Sequence, residues 1–99
     1  LQNNAFNKMT YNDTSGIEAR IASGDYDSAM KTLNAELEKS TNATMLALRG
    51  DLNWKLGHRA QAISDYEAAV DLDPSSPAAQ TLAIAREVMD FYNRDLYNP

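Results

Sequence analysis

The residues with catalytic or metal-binding chemistry are few and far apart in this sequence. The chain has one histidine, His58, and no cysteine, whereas a zinc site requires three or four ligands. Asp71 and Asp73 are separated by Leu72 near a predicted helix end, which is typical of a solvated helix terminus. The glycines form no phosphate-binding loop. We therefore expect no enzyme, no cofactor and no bound metal.

Composition and charge argue against further classes of function. Of the 99 residues, 43% are hydrophobic, which is typical of a folded chain. No stretch reaches the roughly 18 consecutive apolar residues of a membrane span. The net charge is −5 and the nine basic residues are scattered. We expect no nucleic-acid partner, because neutralising phosphates requires clustered lysine and arginine. The lack of cysteine excludes disulfides but identifies no compartment.

The clearest pattern lies in the middle of the chain, where two helices are predicted with a sharp break between them. Leu46, Gly50 and Trp54 recur at helical spacing in the first helix. Gly57 ends that helix because glycine takes the left-handed conformation at little steric cost. Pro74 ends the second helix, since proline disfavours a helical conformation in the residue before it. The apolar face of the second helix consists of Ala62, Ile63, Tyr66, Ala69 and Val70.

Small residues recur where these two helices are expected to touch. Gly50 lies in the first helix, and Ala62 and Ala69 lie on the apolar face of the second. A larger side chain at these positions would hold the helices apart.

Asn42, just before the first helix, is interpreted as its N-cap. It also begins an Asn-Ala-Thr glycosylation sequon, but such triplets arise often by chance.

This central stretch resembles a tetratricopeptide repeat, a helix pair with the pattern W-x2-L-G-x2-Y, then A-x3-F, then P. Gly50 matches the glycine, and Pro74 matches the closing proline. Ala62 and Tyr66 match the A-x3-F pair. The first helix departs from the pattern at Leu46 in place of tryptophan, Arg49 in place of leucine and Asn53 in place of tyrosine, with the aromatic Trp54 one residue later.

A weaker copy of the same pattern precedes it. Gly24 and Gly57 are 33 residues apart, as are Ala29 and Ala62, close to the family period of about 34 residues. A helix over 26–39 is predicted in this first copy. A shorter helix precedes it, opened by a capping box and ended by Gly24. Its bounds are Ser15 and Ser23, and the capping box pairs Ser15 with Glu18.

One more helix is predicted from Pro77 to about Asn93, with an apolar and a polar half at about 100° per residue. Repeat arrays require a terminal helix with a polar outer face, and this helix supplies one. We expect the last residues to leave the helix. The apolar half contains Leu82, Ile84, Ala85, Val88, Met89, Phe91 and Tyr92.

These elements predict an all-α fold made of two repeats and a C-terminal capping helix. The resemblance implies a right-handed stack of helix-turn-helix units. Two units, one of them degenerate, leave the fold dependent on the capping helix, a dimer partner or missing upstream repeats. Because the chain begins at Leu1, we expect a fragment or a processed product. The predicted segments are a lead-in at 1–12 and a domain at 13–99, divided into 13–41, 42–76, 77–93 and a tail at 94–99.

The resemblance also implies a binding surface, because the first helix of each pair in this family lines a concave groove. Family members that bind chaperone C-termini use a polar clamp, but Ala47, Asp51 and Leu82 stand at the clamp positions here. Chaperone binding is therefore not expected. Acidic edges and apolar surface would suit a basic or apolar helical segment. The groove residues implied are Thr14, Glu18, Ala47, Asp51, Trp54, Lys55, Thr81, Ala85 and Val88.

Two functions remain open at this point. The first is a non-enzymatic protein-interaction module that binds a peptide or helical segment in the groove. The second is a structural role, either as the C-terminal part of a longer array or as a homodimerising unit. Trp54 has two equally weighted interpretations, core residue and groove residue. A weak homodimer is expected to involve Ile84, Val88 and Phe91.

Overall fold

The computed structural model describes the backbone of residues 14–97 and the side chains of residues 14–92. The described backbone forms five α-helices and no strand, so the predicted all-α fold is confirmed. The predicted lead-in at 1–12 lies outside the described residues. The helices are α1 (Ser15–Ala22), α2 (Tyr26–Lys39), α3 (Ala43–Lys55), α4 (Arg59–Leu72) and α5 (Ala78–Tyr97).

The turns between paired helices depend on two glycines. Gly24, after α1, has φ +87°, and Gly57, after α3, has φ +85°. Both values lie in the left-handed region, where a side chain would add strain. The amide of Gly57 donates to the Trp54 carbonyl at 3.0 Å, and that of His58 donates to the Asn53 carbonyl at 2.8 Å. The turn therefore satisfies the last carbonyls of α3.

The helix starts agree with the predictions at one cap and differ at another. The Asn42 side chain accepts a hydrogen bond from the Met45 amide at 2.9 Å, which confirms it as the N-cap of α3. The predicted capping box of Ser15 and Glu18 is wrong, because Thr14 is the N-cap of α1. The Thr14 hydroxyl instead donates to Glu18 Oε1 at 3.0 Å.

The last helix is longer than predicted. It continues past Asn93 to Tyr97, so the residues expected to leave the helix remain in it. No glycine or proline occurs between Asn93 and Tyr97, and such residues are the usual helix breakers. The helix therefore has no local reason to stop before the Asn-Pro pair at the end of the sequence.

Consecutive helices pack on one another, α1 on α2 through to α4 on α5. Their buried side chains form two clusters, and α3 contributes to both. The α1–α3 cluster contains Ile17, Ile21, Ala29, Leu33, Met45 and Leu52. The α3–α5 cluster contains Leu46, Ala62, Tyr66, Ala69, Ala78, Leu82 and Ala85.

The α3–α4 contact is as close as the small residues predict. Ala62 and Ala69 are fully buried. A Cβ atom added to Gly50 would lie 2.7 Å from Cε1 of Tyr66, a distance that real side chains do not adopt. Glycine therefore lets the Tyr66 ring lie directly against the backbone of α3.

Candidate partner-binding groove

An apolar pocket lies where the end of α3 meets α4 and α5. Its volume is about 150 Å³, enough for an apolar side chain of a partner but smaller than most small-molecule pockets, which are about 300–1,000 Å³. Three helices contribute its walls, so the pocket depends on the packing of the whole α3–α5 cluster. The lining residues are Trp54, Tyr66, Thr81, Ile84, Ala85 and Val88.

Helical periodicity places the α5 residues of this pocket on one face. Thr81, Ala85 and Val88 follow the i, i+4, i+7 spacing. Ala85 is buried against the α3–α5 cluster, whereas Thr81 and Val88 are half-buried. Ile84 lines the rim and remains 62% exposed. The pocket therefore has a fixed floor and an apolar rim that faces solvent.

Tyr66 forms another wall and is held at both ends. Its ring packs on Gly50, and its hydroxyl donates to Oδ1 of Asp51 at 2.5 Å. Burial, and then the hydrogen bond to Asp51, raise the pKa of the Tyr66 phenol. Asp51 lies on the exposed side of α3. The bond thus ties a wall residue of the pocket to a carboxylate of α3.

The position of Trp54 is intermediate between the two interpretations that the sequence left open, core residue and groove residue. It packs against the α3–α5 cluster, lines the pocket and is half-buried. The Arg59 guanidinium lies against its ring, with Cζ 5.1 Å from the Trp54 ring centroid. The same Cζ is 5.5 Å from the centroid of the Tyr92 ring. Arginine at these distances makes favourable cation–π contacts.

The structure brings together only part of the groove implied by the sequence. Trp54, Thr81, Ala85 and Val88 share the pocket, and Asp51 accepts a hydrogen bond from its lining residue Tyr66. The other expected residues do not line this pocket. Ala47 packs against the α3–α5 cluster, Lys55 is exposed, and Thr14 and Glu18 bond to each other on α1.

Sequence reasoning missed Arg59 as a residue of this site. The sequence alone assigns no role to Arg59, the residue after His58 in the turn between α3 and α4. The available signal was its short sequence separation from Trp54. The tight turn at Gly57 lies between the two residues and brings the start of α4 next to the end of α3. Contact with Tyr92 could not be expected, because it depends on the position of α5.

A second pocket of about 440 Å³ lies among α2, α3 and α4, and most of its lining residues have polar side chains. Its centre is a network in which Arg49 donates from Nε and Nη2 to Asp65, at 3.0 and 2.8 Å. Arg49 Nη1 donates to Asn34 at 3.0 Å, and Asn53 Nδ2 donates to Asp65 at 3.0 Å. The hydrogen bonds to Asp65 raise the pKa of Arg49. The pocket is lined by Met30, Asn34, Arg49, Asn53, Ala60, Gln61, Ser64 and Asp65.

This network explains two departures from the repeat pattern in the first helix. Arg49 and Asn53 stand where the pattern has leucine and tyrosine. Asn53 and Asp65 are 7% and 6% exposed, and buried polar groups are costly unless they are hydrogen-bonded. Asp65 supplies the acceptors that both residues need, so a polar cluster replaces an apolar one.

Other kinds of site find little support in the described part of the chain. No group of three or more histidine or acidic residues there is placed to hold a metal ion. None of the described helices is long and apolar enough to cross a membrane. His58 is exposed at the N-terminal end of α4, where its side chain makes no cap hydrogen bond.

Successive helix pairs that each pack on their neighbours are the architecture of a helical repeat protein. The family model described as tetratricopeptide repeat-like domain matches residues 17–91. The chain belongs to this family, and the resemblance inferred from its central stretch is confirmed. Domains of this family are, in general, protein-interaction modules.

Two known proteins resemble this chain, one in sequence and one in structure. The human protein named tetratricopeptide repeat protein 6 is 37% identical over 51 residues, which are 52% of this chain and 10% of that protein. The chain thus spans about a tenth of this relative. The solution NMR structure of the Bacteroides fragilis protein BF1650 superposes with a TM-score of 0.77 at 30% identity. That match covers 89% of this chain and 91% of the other.

Proposed function

We propose that this protein is a non-catalytic interaction module that binds a segment of a partner protein over the α3–α5 pocket. The observation that carries the proposal is the pocket itself, with a buried floor of Ala85 and Tyr66 and an exposed rim at Ile84. Family membership implies protein partners in general. Aromatic residues in such pockets are frequent anchors of protein interfaces.

The proposed partner contributes an apolar side chain to the pocket. A volume of about 150 Å³ suits one such side chain, and the walls offer few polar groups to a small molecule. Phe91 and Tyr92 extend the apolar surface along α5, where they are 62% and 46% exposed. A helical or extended segment laid along α5 would cover them.

Random peptides displayed on phage and selected on the wild-type protein would test this proposal. Trp54 is the single tryptophan of the chain, so its fluorescence reports binding at the pocket directly. Val88→Asp introduces a charge beside the pocket and should abolish binding of the selected peptides. Ala83→Asp is the matched control, since it places the same charge on an exposed position of α5 outside the pocket. Equal binding by both variants would contradict the proposal.

Trp54→Ala gives a second test that separates stability from binding. Because Trp54 is half-buried, we expect a loss of about 1–3 kcal/mol, below the cost of a fully buried tryptophan. Loss of an aromatic anchor should weaken binding by roughly 2 kcal/mol. Thermal unfolding measures the first effect, and titration with a fluorescently labelled peptide measures the second. A folded variant with unchanged affinity would exclude Trp54 from the site.

A structural role as a homodimer is the second candidate, favoured by the exposed apolar residues of α5. Ile84 and Phe91 are each 62% exposed, and Val88 lies between them on the helix. A second copy of the chain could cover this face. Sedimentation equilibrium should then show weak dimers that Phe91→Asp abolishes and Ala83→Asp retains. A monomer at all concentrations would exclude the homodimer.

A further inference from the structure

Arg59 differs from the other arginines whose side chains the structure describes. Arg20, Arg49 and Arg86 each donate hydrogen bonds to a neighbouring side chain. Within the described residues Arg59 has no hydrogen bond or ion pair, and its Nε is buried without a partner. Instead, its guanidinium lies against the rings of Trp54 and Tyr92.

The two rings hold Arg59 beside the pocket, where its donors have no hydrogen-bond partner among the described residues. Trp54 belongs to both features, since it contacts the guanidinium and lines the pocket. Stacking restricts the arginine side chain before any partner arrives, which lowers the entropic cost of binding. A guanidinium also presents its N–H groups as a planar fork that matches a carboxylate.

Two lining residues of the pocket contact groups of opposite charge, since Tyr66 bonds to Asp51 and Trp54 stacks on Arg59. Asp51 lies one turn before Trp54 on α3, whereas Arg59 follows the end of that helix. The first turn of α4, which begins at Arg59, contains no acidic residue. The partial positive charge of this helix end therefore adds to that of Arg59. An incoming carboxylate is favoured beside Arg59 and disfavoured beside Asp51.

We propose that Arg59 binds an acidic side chain of the partner segment whose apolar side chain fills the pocket. This proposal rests on the proposed function and names the chemistry of the partner, an aspartate or glutamate close to a bulky apolar residue. The backbone of α5 continues past Tyr92 to Tyr97, so a partner segment laid along this helix can continue beyond the carboxylate. We therefore assign a side chain and not a chain terminus.

Peptides selected on the wild-type protein should contain an acidic residue at a fixed distance from a leucine, isoleucine or phenylalanine. One such peptide, amidated at its C-terminus, is the probe. Replacing its acidic residue by the corresponding amide should weaken binding about tenfold or more. Arg59→Gln should weaken the parent peptide equally. The two changes together should cost no more than either alone, since both remove the same contact.

Arg86→Gln is the matched control. It also removes an arginine at the α4–α5 contact, but this arginine, on α5, is already paired with Glu67 of α4 at 2.6 Å. We expect its effect on affinity to stay within about twofold. Arg59→Lys keeps the charge without the planar fork and should lie between wild type and Arg59→Gln. If Arg59→Gln does not fold, the amide peptide and Arg59→Lys still test the contact.

The outcomes separate the two proposals. The selected peptides could require Val88, carry no acidic residue and bind Arg59→Gln and wild type with equal affinity. That result would overturn the role of Arg59 and leave the proposed function intact. Binding restored to the amide peptide by a free C-terminal carboxylate would overturn the assignment to a side chain. Selected peptides that ignore both Trp54 and Val88 would overturn the proposed function, and this inference with it.

Discussion

Gly50 shows how strongly one position controls the α3–α4 contact. In Gly50→Ala the added methyl carbon would lie 2.7 and 2.9 Å from Cε1 and Cδ1 of Tyr66. The ring is 3% exposed and tied to Asp51, so the helices must separate. Thermal unfolding should show a loss of about 1–3 kcal/mol. Gly16→Ala is the control, since nothing lies within 4 Å of its added atom, and a loss as large in Gly16→Ala would contradict this explanation.

Tyr66 should also make the stability depend on alkaline pH. Its pKa is raised in the folded protein, by burial first and by the bond to Asp51 second. The unfolded chain therefore releases the phenol proton first as the pH rises, so the unfolded state binds fewer protons. Stability is fully present below the ordinary tyrosine pKa of about 10 and decreases above it.

Unfolding midpoints measured between about pH 8 and pH 11 would test this dependence. Tyr66→Phe cannot titrate at this position and should lose less stability over the range than wild type does. The other tyrosines and the lysines are common to both proteins, so the difference isolates Tyr66. Parallel curves for the two proteins would show that Tyr66 titrates equally in both states.

Among the helices, α3 carries an unusual polar side. Asp65→Ala would leave Arg49 and the buried Asn53 without their shared acceptor. We expect a loss of about 1–3 kcal/mol, the usual cost of unsatisfied buried groups. Arg49→Leu restores the apolar residue of the repeat pattern and should cost less, because Asp65 keeps its bond from Asn53.

A double-mutant cycle on Arg49 and Asp65 measures their coupling. We expect an interaction energy of about 0.5–3 kcal/mol, so that Arg49→Leu with Asp65→Ala costs clearly less than the two single changes added together. Chemical denaturation of the four proteins provides the values. Strict additivity would mean that solvent, and not Asp65, satisfies the guanidinium.

Local signals were sufficient to predict helices, while contacts between distant helices were not. Gly57, Pro74 and the small residues act within one helix pair, and the sequence displays their spacing directly. The Arg49–Asp65 network joins residues that look unrelated along the chain. The stacking of Arg59 on Tyr92 depends on where α5 packs against α4. The spacing of apolar residues within α5 does not predict that position. Four of the six pocket residues, Trp54, Thr81, Ala85 and Val88, are among the groove residues that the family resemblance implies.

At the scale of the molecule, burial among the described residues is divided between two clusters that meet at α3. The α1–α3 cluster takes Met45 and Leu52 from α3, whereas the α3–α5 cluster takes Leu46. Helix α1 contributes only Ile17 and Ile21 to this burial. Stability in repeat arrays is approximately a sum of units and their nearest-neighbour interfaces. We therefore expect α1 to open more readily than α3 and α4.

Hydrogen exchange followed by mass spectrometry would test this expectation with two core variants. Ile21→Ala removes buried surface at the α1 end and should raise amide exchange in α1 and α2 while leaving α5 unchanged. Leu52→Ala empties a fully buried position of the shared helix. It should cost about 2–5 kcal/mol and raise exchange in α4 as well as in α2, because both pack on α3. If Ile21→Ala raises exchange in α5 as much as in α2, the five helices unfold as one cooperative unit. In that case α3 does not join two units that open separately.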